Sequence, residues 1–374
     1  MKILYVITGL GVGGAEKQTI LIANRMFKAG HDIMIISLTG KAFVKPNKGI
    51  DLKNLEIKKN IFSLVNGLFK VKKIIKSFEP DIVHSHMYHA NIFSRLSKLI
   101  VKIPVLICTA HNTNEGSIMR MLTYRWTDKL ASLSTNVSKD AVNAFVRKKA
   151  SSPNRMIVMP NGIDVSKFEF SLTDRVSKRQ ELNLTPDMPM LLSVGRLTEA
   201  KDYPNLLNAY SLLLKADSHQ NVPLLFIVGS GELHSHLSSM TSQLGIEKYV
   251  RFLGLRDDIR ELMCAADIFV LSSEWEGFPL VITEAMACEK LIVATDSGGI
   301  NEALGEYGYI VPIKDSRSLF KAISKVLALP ESEKVELGLA AKNRVTENYS
   351  IDIIVKSWLD LYNNLLSRTR KTNN

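Results

Sequence analysis

The chain has 374 residues, of which 46% are hydrophobic and 23% are charged, which is enough for two globular domains with a core each. Its three cysteines, Cys108, Cys264 and Cys288, are widely spaced in apolar segments, which argues against a disulfide framework or a metal site and favours reduced core thiols. No apolar run approaches the ~18–20 residues that cross a bilayer, and the N-terminus lacks a signal-peptide pattern, so we expect a cytosolic protein.

The net charge of +11 is distributed unevenly along the chain. Residues 1–165 contain 25 Lys and Arg against 10 Asp and Glu, whereas residues 166–374 contain 23 against 27. The basic charge therefore belongs to the first half. This asymmetry predicts an acidic partner for that half, which is an anionic lipid, a phosphorylated substrate or a nucleic acid.

The first half alternates apolar strands with segments of helical periodicity, which is typical of a doubly wound parallel sheet. Strands are predicted at 2–8, 31–38, 55–60, 81–86, 103–111, 131–138 and 155–164. Helices are predicted at 14–30, 64–78, 91–102, 119–131 and 139–150. A polar segment at 168–187 marks a domain boundary, which we place between residues 167 and 168.

The alternation then begins again, which predicts a second doubly wound domain over 168–350. Its strands are expected at 189–196, 223–232, 250–254, 267–273, 291–295 and 309–313, with helices between them and two long helices after the last strand. The fold class is therefore α/β, with two Rossmann-like domains. Ligands of such sheets bind at the carboxyl ends of the strands.

Residues 272–300 contain two carboxylates eight positions apart, Glu276 and Glu284. Pro279 suits the first position of a helix, so Glu276 is predicted in the preceding loop and Glu284 inside the helix. The amide groups at the start of that helix are a natural seat for a phosphate. This stretch predicts a site for a phosphorylated ligand rich in hydroxyl groups.

Arg196 and Lys201 follow the first strand of the second half, and Gly229, Gly231 and Glu232 follow its second strand. Two cations at this edge of the sheet can neutralise a leaving diphosphate without a metal ion. The alternative is a solvated Arg and Lys on a loop.

Four glycines, Gly9, Gly11, Gly13 and Gly14, follow the first strand and resemble a dinucleotide-binding loop. The second strand lacks the terminal Asp or Glu that would bind a nicotinamide ribose, which argues against a dehydrogenase. The alternative is that the glycines only form a tight turn between strand and helix.

Histidines cluster after two strands of the first half. His84 and His86 would share one face of a strand and, with His89, suggest a metal site, but no nearby Cys or carboxylate completes the ligand set except Asp81 at the far end of the strand. Polar residues lining a cleft are the favoured interpretation. His111, at the next strand end, would face the same cleft and either orient a substrate or take part in chemistry.

Residues 58–78 predict a helix with one apolar stripe and with lysines nearby. The stripe contains Ile61, Val65, Leu68, Val71, Ile75 and Phe78, and the lysines are Lys70, Lys72, Lys73 and Lys76. A basic amphipathic helix of this kind is suited to an anionic membrane surface. The alternative is a helix that packs on the core and exposes a solvated basic side.

Taken together, six motifs resemble the family 4 (GT4) retaining glycosyltransferases of bacterial surface-polysaccharide type, which have the GT-B fold. The motifs are GVGGAE at 11–16, HN at 111–112, VMPNGID at 158–164, GRLTEAKD at 195–202, GSGE at 229–232 and EGFPLVITEA at 276–285. Any one motif is weak, but their order and spacing over nearly the whole chain are specific.

The resemblance implies that a sugar is transferred from a nucleotide sugar to an acceptor hydroxyl, with retained configuration and with neither metal nor cofactor. The first domain would bind the acceptor, the second domain the donor, and a final helix at about 351–367 would pack back on the first domain. The resemblance also implies residue roles. Arg196 and Lys201 would bind the diphosphate, and Glu284 would bind the ribose. Glu276, with the backbone of Gly277 and Phe278, would bind the donor sugar. Gly13 and Gly14 would let their loop close over the diphosphate, and His111 would contact the sugar or the reacting centre.

We therefore expect a hexosyl- or N-acetylhexosaminyltransferase of O-antigen or capsule synthesis, peripheral on the inner face of the cell membrane. A UDP-sugar is the expected donor, ahead of a GDP-sugar, and the expected acceptor is a lipid-linked glycan rather than a nucleic acid. The alternative is an inactive basic protein that binds anionic membrane or nucleic acid.

Overall fold

The computed structural model describes residues 1–11, 13–40, 42–216 and 222–372. Val12, which belongs to the glycine motif, lies outside the described residues. The chain divides into two compact units: Met1–Gly162 together with the C-terminal segment from Ile351 form unit 1, and Ile163–Ser350 form unit 2. The division thus falls five residues before the predicted boundary at 167.

Unit 1 is built from seven strands and from helices that connect them. The strands are β1 (Lys2–Ile7), β2 (Asp32–Ser37), β3 (Asp51–Asn54), β4 (Ile82–His86), β5 (Val105–Thr109), β6 (Leu133–Asn136) and β7 (Met156–Val158). The helices are α1 (Gly14–Lys28), α2 (Ile61–Phe78), α3 (Tyr88–Ser97), α4 (Ile118–Thr127), α5 (Lys139–Arg147) and, at the C-terminal end of the chain, α14 (Ile351–Thr372).

The strands of unit 1 form one parallel sheet in the order β3-β2-β1-β4-β5-β6-β7. Alternate side chains of each strand point to opposite faces, and both faces are apolar. Ile3 and Tyr5 of β1 pack toward α1 and α14, whereas Leu4 and Val6 pack toward α2 and α3. The sheet is therefore covered on both sides, as in a doubly wound fold.

Unit 2 repeats this architecture with six strands. The strands are β8 (Met190–Val194), β9 (Leu224–Val228), β10 (Val250–Gly254), β11 (Ile268–Leu271), β12 (Leu291–Thr295) and β13 (Tyr309–Val311). The helices are α6 (Leu172–Glu181), α7 (Tyr203–Ala216), α8 (His234–Leu244), α9 (Ile259–Ala265), α10 (Leu280–Ala287), α11 (Ile300–Leu304), α12 (Ser316–Leu327) and α13 (Glu331–Tyr349). All neighbouring strands are parallel, in the order β10-β9-β8-β11-β12-β13.

The fold class is confirmed: each unit is a Rossmann-like α/β domain with one parallel sheet. The three cysteines are buried free thiols, as expected. Among the described helices, none is long and apolar enough to cross a membrane.

Two predicted elements are wrong in their bounds. The third strand lies at Asp51–Asn54 rather than at 55–60, because an edge strand with exposed ends needs no apolar run to reveal it. The last helix does not end near residue 367 but continues to Thr372. Its buried face packs against β1, β5 and α1 through residues that include Ile354, Trp358 and Tyr362.

Candidate active site

Each sheet has one point at which the strand order reverses, between β1 and β4 in unit 1 and between β8 and β11 in unit 2. At such a point the loops that leave the two central strands run to opposite faces of the sheet and open a crevice for ligands. Arg196 follows β8, Glu276 follows β11, and His86 ends β4. The sequence-predicted residues therefore lie at the two places where a doubly wound fold binds its ligands.

A charged pair lies at the reversal point of unit 2. Lys201 Nζ donates to Glu276 Oε1, and both side chains are largely buried, with 16% and 14% of their surface exposed. Ser273 Oγ donates to the same carboxylate oxygen over 2.7 Å. The two charges are thus held in place by each other and by a hydroxyl group, which makes their positions well defined.

The loop that carries Lys201 is fixed to the loop that carries Glu276 by backbone contacts. Ser272 Oγ donates to the carbonyl of Lys201 over 2.8 Å, and the amide of Glu274 donates to the carbonyl of Ala200 over 2.9 Å. Arg196, in contrast, is exposed and forms no ion pair with any residue that the structure describes. The edge therefore presents one fixed cation and one accessible cation.

The loop before α10 is supported by a glycine turn after β12. Gly298 has φ +55°, and a Cβ there would lie 2.0 Å from the carbonyl oxygen of Glu276. The amide of Gly299 donates to the carbonyl of Gly277 over 3.1 Å. Sequence reasoning did not assign Gly298 or Ser273 to the site, although two serines before the acidic loop and two glycines after a buried strand were visible signals.

Gly229 and Gly231 have a packing role that the sequence did not reveal. Gly229 has φ +139°, and a Cβ there would lie 1.9 Å from the carbonyl oxygen of Gly195. A Cβ on Gly231 would lie 2.3 Å from the carbonyl oxygen of Leu197. Both glycines let the loops after β8 and β9 approach each other, and their contact with a donor stays a prediction.

The helix with the second carboxylate begins one residue later than predicted. Pro279 is the N-cap of α10 rather than its first residue, and Glu284 lies half-buried inside the helix, as expected. The ring of Phe278 is buried against Tyr349, with the ring centroids 5.1 Å apart, so only the backbone of Phe278 is placed to contact a ligand. The first-turn amides of α10 supply the partial positive charge expected there.

In unit 1 the glycine loop lies against the start of α1. Gly13 is the N-cap of α1, Gly14 is its first residue, and the Glu16 carboxylate lies over the loop, where a Cβ on Gly13 would be 2.5 Å from Glu16 Oε2. A carboxylate at this position is stabilised by the helix N-terminus. The loop is therefore tight around Glu16, and its closure over a diphosphate stays a prediction.

The histidines do not form a metal site. Both ring nitrogens of His84 are hydrogen-bonded, Nδ1 to the Tyr362 hydroxyl over 2.7 Å and Nε2 to the Thr109 hydroxyl over 2.6 Å. His84 is fully buried against α14 instead of lining an open surface, which corrects the favoured interpretation. No group of three or more His, Cys, Asp or Glu within the described ranges is arranged to hold a metal ion.

His111 lies two residues after β5 and is hydrogen-bonded to His86. His111 Nε2 and His86 Nδ1 are 3.1 Å apart. Burial lowers the pKa of His111 to about 4 and holds the pKa of His86 well below its usual value, so both rings are neutral at pH 7. At the edge of unit 1, the buried His86 and the half-buried His111 therefore carry no charge.

Comparison with known families decides what this arrangement belongs to. Residues 12–167 match the family model "Glycosyltransferase Family 4", and residues 174–344 match "Glycosyl transferases group 1". Together the two matches span most of both units. The chain belongs to these glycosyltransferases. It is accordingly a sugar-transferring enzyme, and the expected family is confirmed.

Named relatives of this glycosyltransferase resemble it over most of their length. The UDP-Gal:α-D-GlcNAc-diphosphoundecaprenol α-1,3-galactosyltransferase of Escherichia coli is 26% identical over 83% of this chain and 81% of its own. The N,N'-diacetylbacillosaminyl-diphospho-undecaprenol α-1,3-N-acetylgalactosaminyltransferase of Campylobacter jejuni is 28% identical over 82% and 83%. The crystal structure of HepE from Anabaena in complex with UDP has a TM-score of 0.84 at 21% identity, covering 97% of this chain and 100% of that one, and shows the shared GT-B fold.

Helix α2 of this glycosyltransferase has two apolar faces. Val71 and Ile75 are buried in the core, whereas Ile61, Phe62, Val65 and Phe69 are exposed on another face, Phe62 by 85% and Phe69 by 57%. Ile61 and Val65 were predicted in a stripe with Val71 and Ile75, and that grouping is wrong. The helical periodicity places Lys72, Lys73 and Lys76 on the exposed side. We call the four exposed apolar residues and these three lysines the α2 surface, which comprises Ile61, Phe62, Val65, Phe69, Lys72, Lys73 and Lys76.

Proposed function

We propose that this glycosyltransferase transfers a sugar from a UDP-sugar to a polyprenyl-diphosphate-linked glycan, with retention of configuration and without a metal ion. The observation that carries the proposal is the fixed Lys201–Glu276 pair beside the exposed Arg196 at the reversal point of unit 2. Two cations at the start of a helix suit a departing nucleoside diphosphate. In such a site the protein supplies the countercharge that Mg²⁺ supplies in other transferases.

The donor assignment has two supports. The E. coli relative is named for UDP-Gal, and the HepE structure contains UDP. In this chain, Arg196 and Lys201 would bind the two phosphates, and the Glu284 carboxylate would accept hydrogen bonds from the ribose hydroxyls. Glu276, with the backbone of Gly277 and Phe278, would orient the hydroxyls of the transferred sugar.

In the proposed reaction the acceptor oxygen attacks the anomeric carbon on the face from which the diphosphate leaves. The bond from the anomeric carbon to the acceptor oxygen forms, the bond to the phosphate oxygen breaks, and the acceptor proton passes to that phosphate oxygen. Glu276 Oε1 is engaged by Lys201 and Ser273, which suits a role in binding rather than in nucleophilic attack. His111 would donate to an oxygen of the sugar.

The acceptor assignment rests on relatives and on charge. The E. coli and C. jejuni relatives are both named for sugars on an undecaprenol diphosphate. Unit 1 contains 29 Lys and Arg against 11 Asp and Glu, whereas unit 2 contains 19 against 26. A diphospholipid-linked glycan and an anionic membrane both suit the basic unit.

The α2 surface is the proposed membrane contact, on the inner face of the cell membrane. Its two exposed phenylalanines would enter the headgroup region, and its three lysines would face anionic headgroups. Each exposed apolar group costs solubility unless it has a partner. This contact would hold the enzyme at the membrane surface through one helix.

Turnover tests the catalytic proposal. Nucleotide sugars are offered in turn, in EDTA, with a short polyprenyl-diphosphate-GlcNAc acceptor, and released nucleotide and glycolipid product are measured. The expected result is transfer from one UDP-sugar, with the product in the anomeric configuration of the donor by NMR. Inverted product, transfer only after a divalent metal is restored, or no transfer from any donor would contradict the proposal.

Vesicle binding tests the membrane contact separately. The wild-type protein should sediment with phosphatidylglycerol vesicles and not with phosphatidylcholine vesicles. The double variant Phe62→Ser/Phe69→Ser should lose most of this binding, whereas Leu255→Ser, which removes a 74% exposed apolar side chain from unit 2, should not. Equal binding by both variants would exclude the α2 surface as the contact.

A further inference from the structure

His86 and His111 are brought together by the pairing of two neighbouring strands. His86 is the last residue of β4 and lies opposite Thr109 of β5 in the parallel register. His111 follows two residues later, and the two rings lie with centroids 5.4 Å apart and planes at 31°. Because parallel strands end at the same edge, the backbone alone sets this juxtaposition.

The ring of His86 is held rigidly. It is 1% exposed and packs against the rings of Tyr5, at 6.0 Å, and His84, at 4.1 Å. His84 is itself fixed by hydrogen bonds from both nitrogens. The next residue, Met87, has φ +73°, an uncommon backbone conformation that locks the end of β4. His86 therefore cannot turn away from His111 without disturbing the core.

Only one hydrogen can lie between the two facing nitrogens, because both rings are neutral at pH 7. If His111 Nε2 carried it, His86 would carry its own hydrogen on Nε2. That atom is buried and has no hydrogen-bond partner among the described residues. A buried N–H without an acceptor is rarer and less favourable than a bare lone pair. In the opposite arrangement the N–H without a protein acceptor is Nδ1–H of His111 instead. Because His86 is 1% exposed whereas His111 is only half-buried, a ligand oxygen can reach His111 but not His86, so we place the hydrogen on His86 Nδ1.

We infer that His86 is a positioning residue, whose Nδ1–H donates to His111 Nε2 and fixes His111 in the tautomer that presents Nδ1–H to the substrate. His111 is half-buried and its Nδ1 has no protein partner among the described residues, so a ligand oxygen that contacts this side of the ring can accept its hydrogen. This inference rests on the proposed function, in which His111 donates to an oxygen of the sugar. Sequence reasoning considered His86 only as a metal ligand and missed this role.

Without His86, the His111 ring has access to both tautomers. In the second tautomer its Nδ1 is an acceptor and cannot donate to the sugar. The donor sugar would then still bind through the nucleotide, but it would react more slowly. We expect His86→Leu to lower kcat about 10- to 100-fold with little change in the KM for the UDP-sugar, as for a misplaced catalytic contact.

The closing experiment assigns the tautomer directly, by long-range ¹H–¹⁵N NMR on the full-length protein labelled with ¹⁵N-histidine. The signals of His111 are identified by their loss in His111→Gln. In the wild-type protein, His111 should show a pyrrole-type Nδ1 and a pyridine-type Nε2. In His86→Leu a mixture or the opposite tautomer should appear, and His86→Asn, whose side-chain amide can replace Nδ1–H, should restore the wild-type pattern and part of the kcat.

A pyrrole-type Nε2 on wild-type His111 would overturn the inference, and so would an unchanged His111 spectrum in folded His86→Leu. The wild-type spectrum needs no variant and no turnover. A failure of every UDP-sugar to react would therefore reject the proposed function while the tautomer is decided independently.

Discussion

The sheet edges of the two units are chemically opposite. The edge of unit 2 is charged, with Lys201 paired to Glu276 and with Arg196 exposed, and close glycine contacts form its loops. The edge of unit 1 is neutral, with His86 buried among aromatic rings and with the half-buried His111 hydrogen-bonded to it. Yet unit 1 is the basic unit and unit 2 is the acidic one. Net charge thus does not locate the cations that act on a substrate.

This contrast suggests that the two edges suit different parts of the donor. A charged edge suits a leaving diphosphate, whose charge grows as the bond breaks. A neutral edge with a fixed N–H donor suits a sugar, which is uncharged. The excess of basic residues on unit 1 includes the lysines of the α2 surface, and we propose that it serves a partner other than the donor nucleotide.

The largest effect is expected at the charged edge. Lys201→Ala removes one cation and leaves the largely buried Glu276 carboxylate with only Ser273. We expect kcat to fall about 100- to 1,000-fold, as when one preorganised electrostatic contact is removed from an active site. The rate of sugar transfer from the preferred UDP-sugar measures this.

The matched control is Lys314→Ala, which breaks a neighbouring ion pair. In that pair Lys314 Nζ lies 2.6 Å from Glu274 Oε1, and the lysine side chain is 62% exposed. An exposed pair contributes little, so transfer should stay within about twofold of wild type. Similar losses in the two variants would mean that general charge, and not the position of Lys201, matters at this edge.

A smaller loss of transfer activity is expected when the glycine turn that supports the charged edge is changed. In Gly298→Ala, the new Cβ would clash with the Glu276 carbonyl, and alanine disfavours φ +55°. The loop must shift, so we expect kcat to fall about tenfold or more, because active-site misplacement is costly. The melting temperature of Gly298→Ala should also fall further below that of wild type than the melting temperature of the control variant Gly245→Ala does.

Gly245→Ala is the control for the glycine effect. Gly245 has φ +69° and open space around its Cβ position, so alanine there costs only the backbone strain of about 1 kcal/mol. Its transfer rate should equal that of wild type. If Gly298→Ala behaves like Gly245→Ala in both measurements, the turn does not hold Glu276.

The fold was largely predictable because its strands are buried on both faces and read as apolar runs between helical segments. The edge strand β3 was not, since Asp51 and Asn54 are exposed and carry no such signal. The exposure of Ile61 and Val65 was also hidden, because periodicity shows that a face is apolar but not what covers it.

The site was predictable residue by residue only where a motif carried it. Arg196, Lys201 and Glu276 were predicted at one sheet edge, and the structure brings Lys201 and Glu276 into direct contact. Ser273 and Gly298 were not assigned, because their roles arise from a hydrogen bond and a close backbone approach that depend on tertiary packing. The roles of these residues in binding a donor stay predictions.

The smallest effect on transfer is expected from a buried carboxyl of unit 1, which changes stability instead. Burial raises the pKa of Glu115 to about 7, with Arg120 acting in the opposite direction, and Glu115 Oε1 has no partner within the described part of the chain. Because the folded pKa lies above the unfolded value, its contribution to stability is complete below about pH 4.5 and is lost as the pH rises through 7. Glu115→Gln should therefore match wild type near pH 4.5 and gain roughly 3 kcal/mol above pH 8.

Calorimetric melting at pH 5 and pH 8.5 measures this gain. Glu336→Gln, which changes an exposed carboxyl, should show no pH-dependent difference from wild type. A gain for Glu115→Gln that is the same at both pH values would show that ionisation of Glu115 is not its cause.

The central claim is that the donor nucleotide is bound by the charged edge of unit 2 and not by the neutral edge of unit 1. Titration calorimetry with UDP in EDTA tests it on wild type, Arg196→Ala and His111→Gln. We predict that Arg196→Ala raises the Kd for UDP about 10- to 100-fold, as expected for the loss of a charged hydrogen bond. The Kd of His111→Gln for UDP should stay within about twofold of the wild-type value. Wild-type affinity in Arg196→Ala, or an equal loss in His111→Gln, would contradict the account.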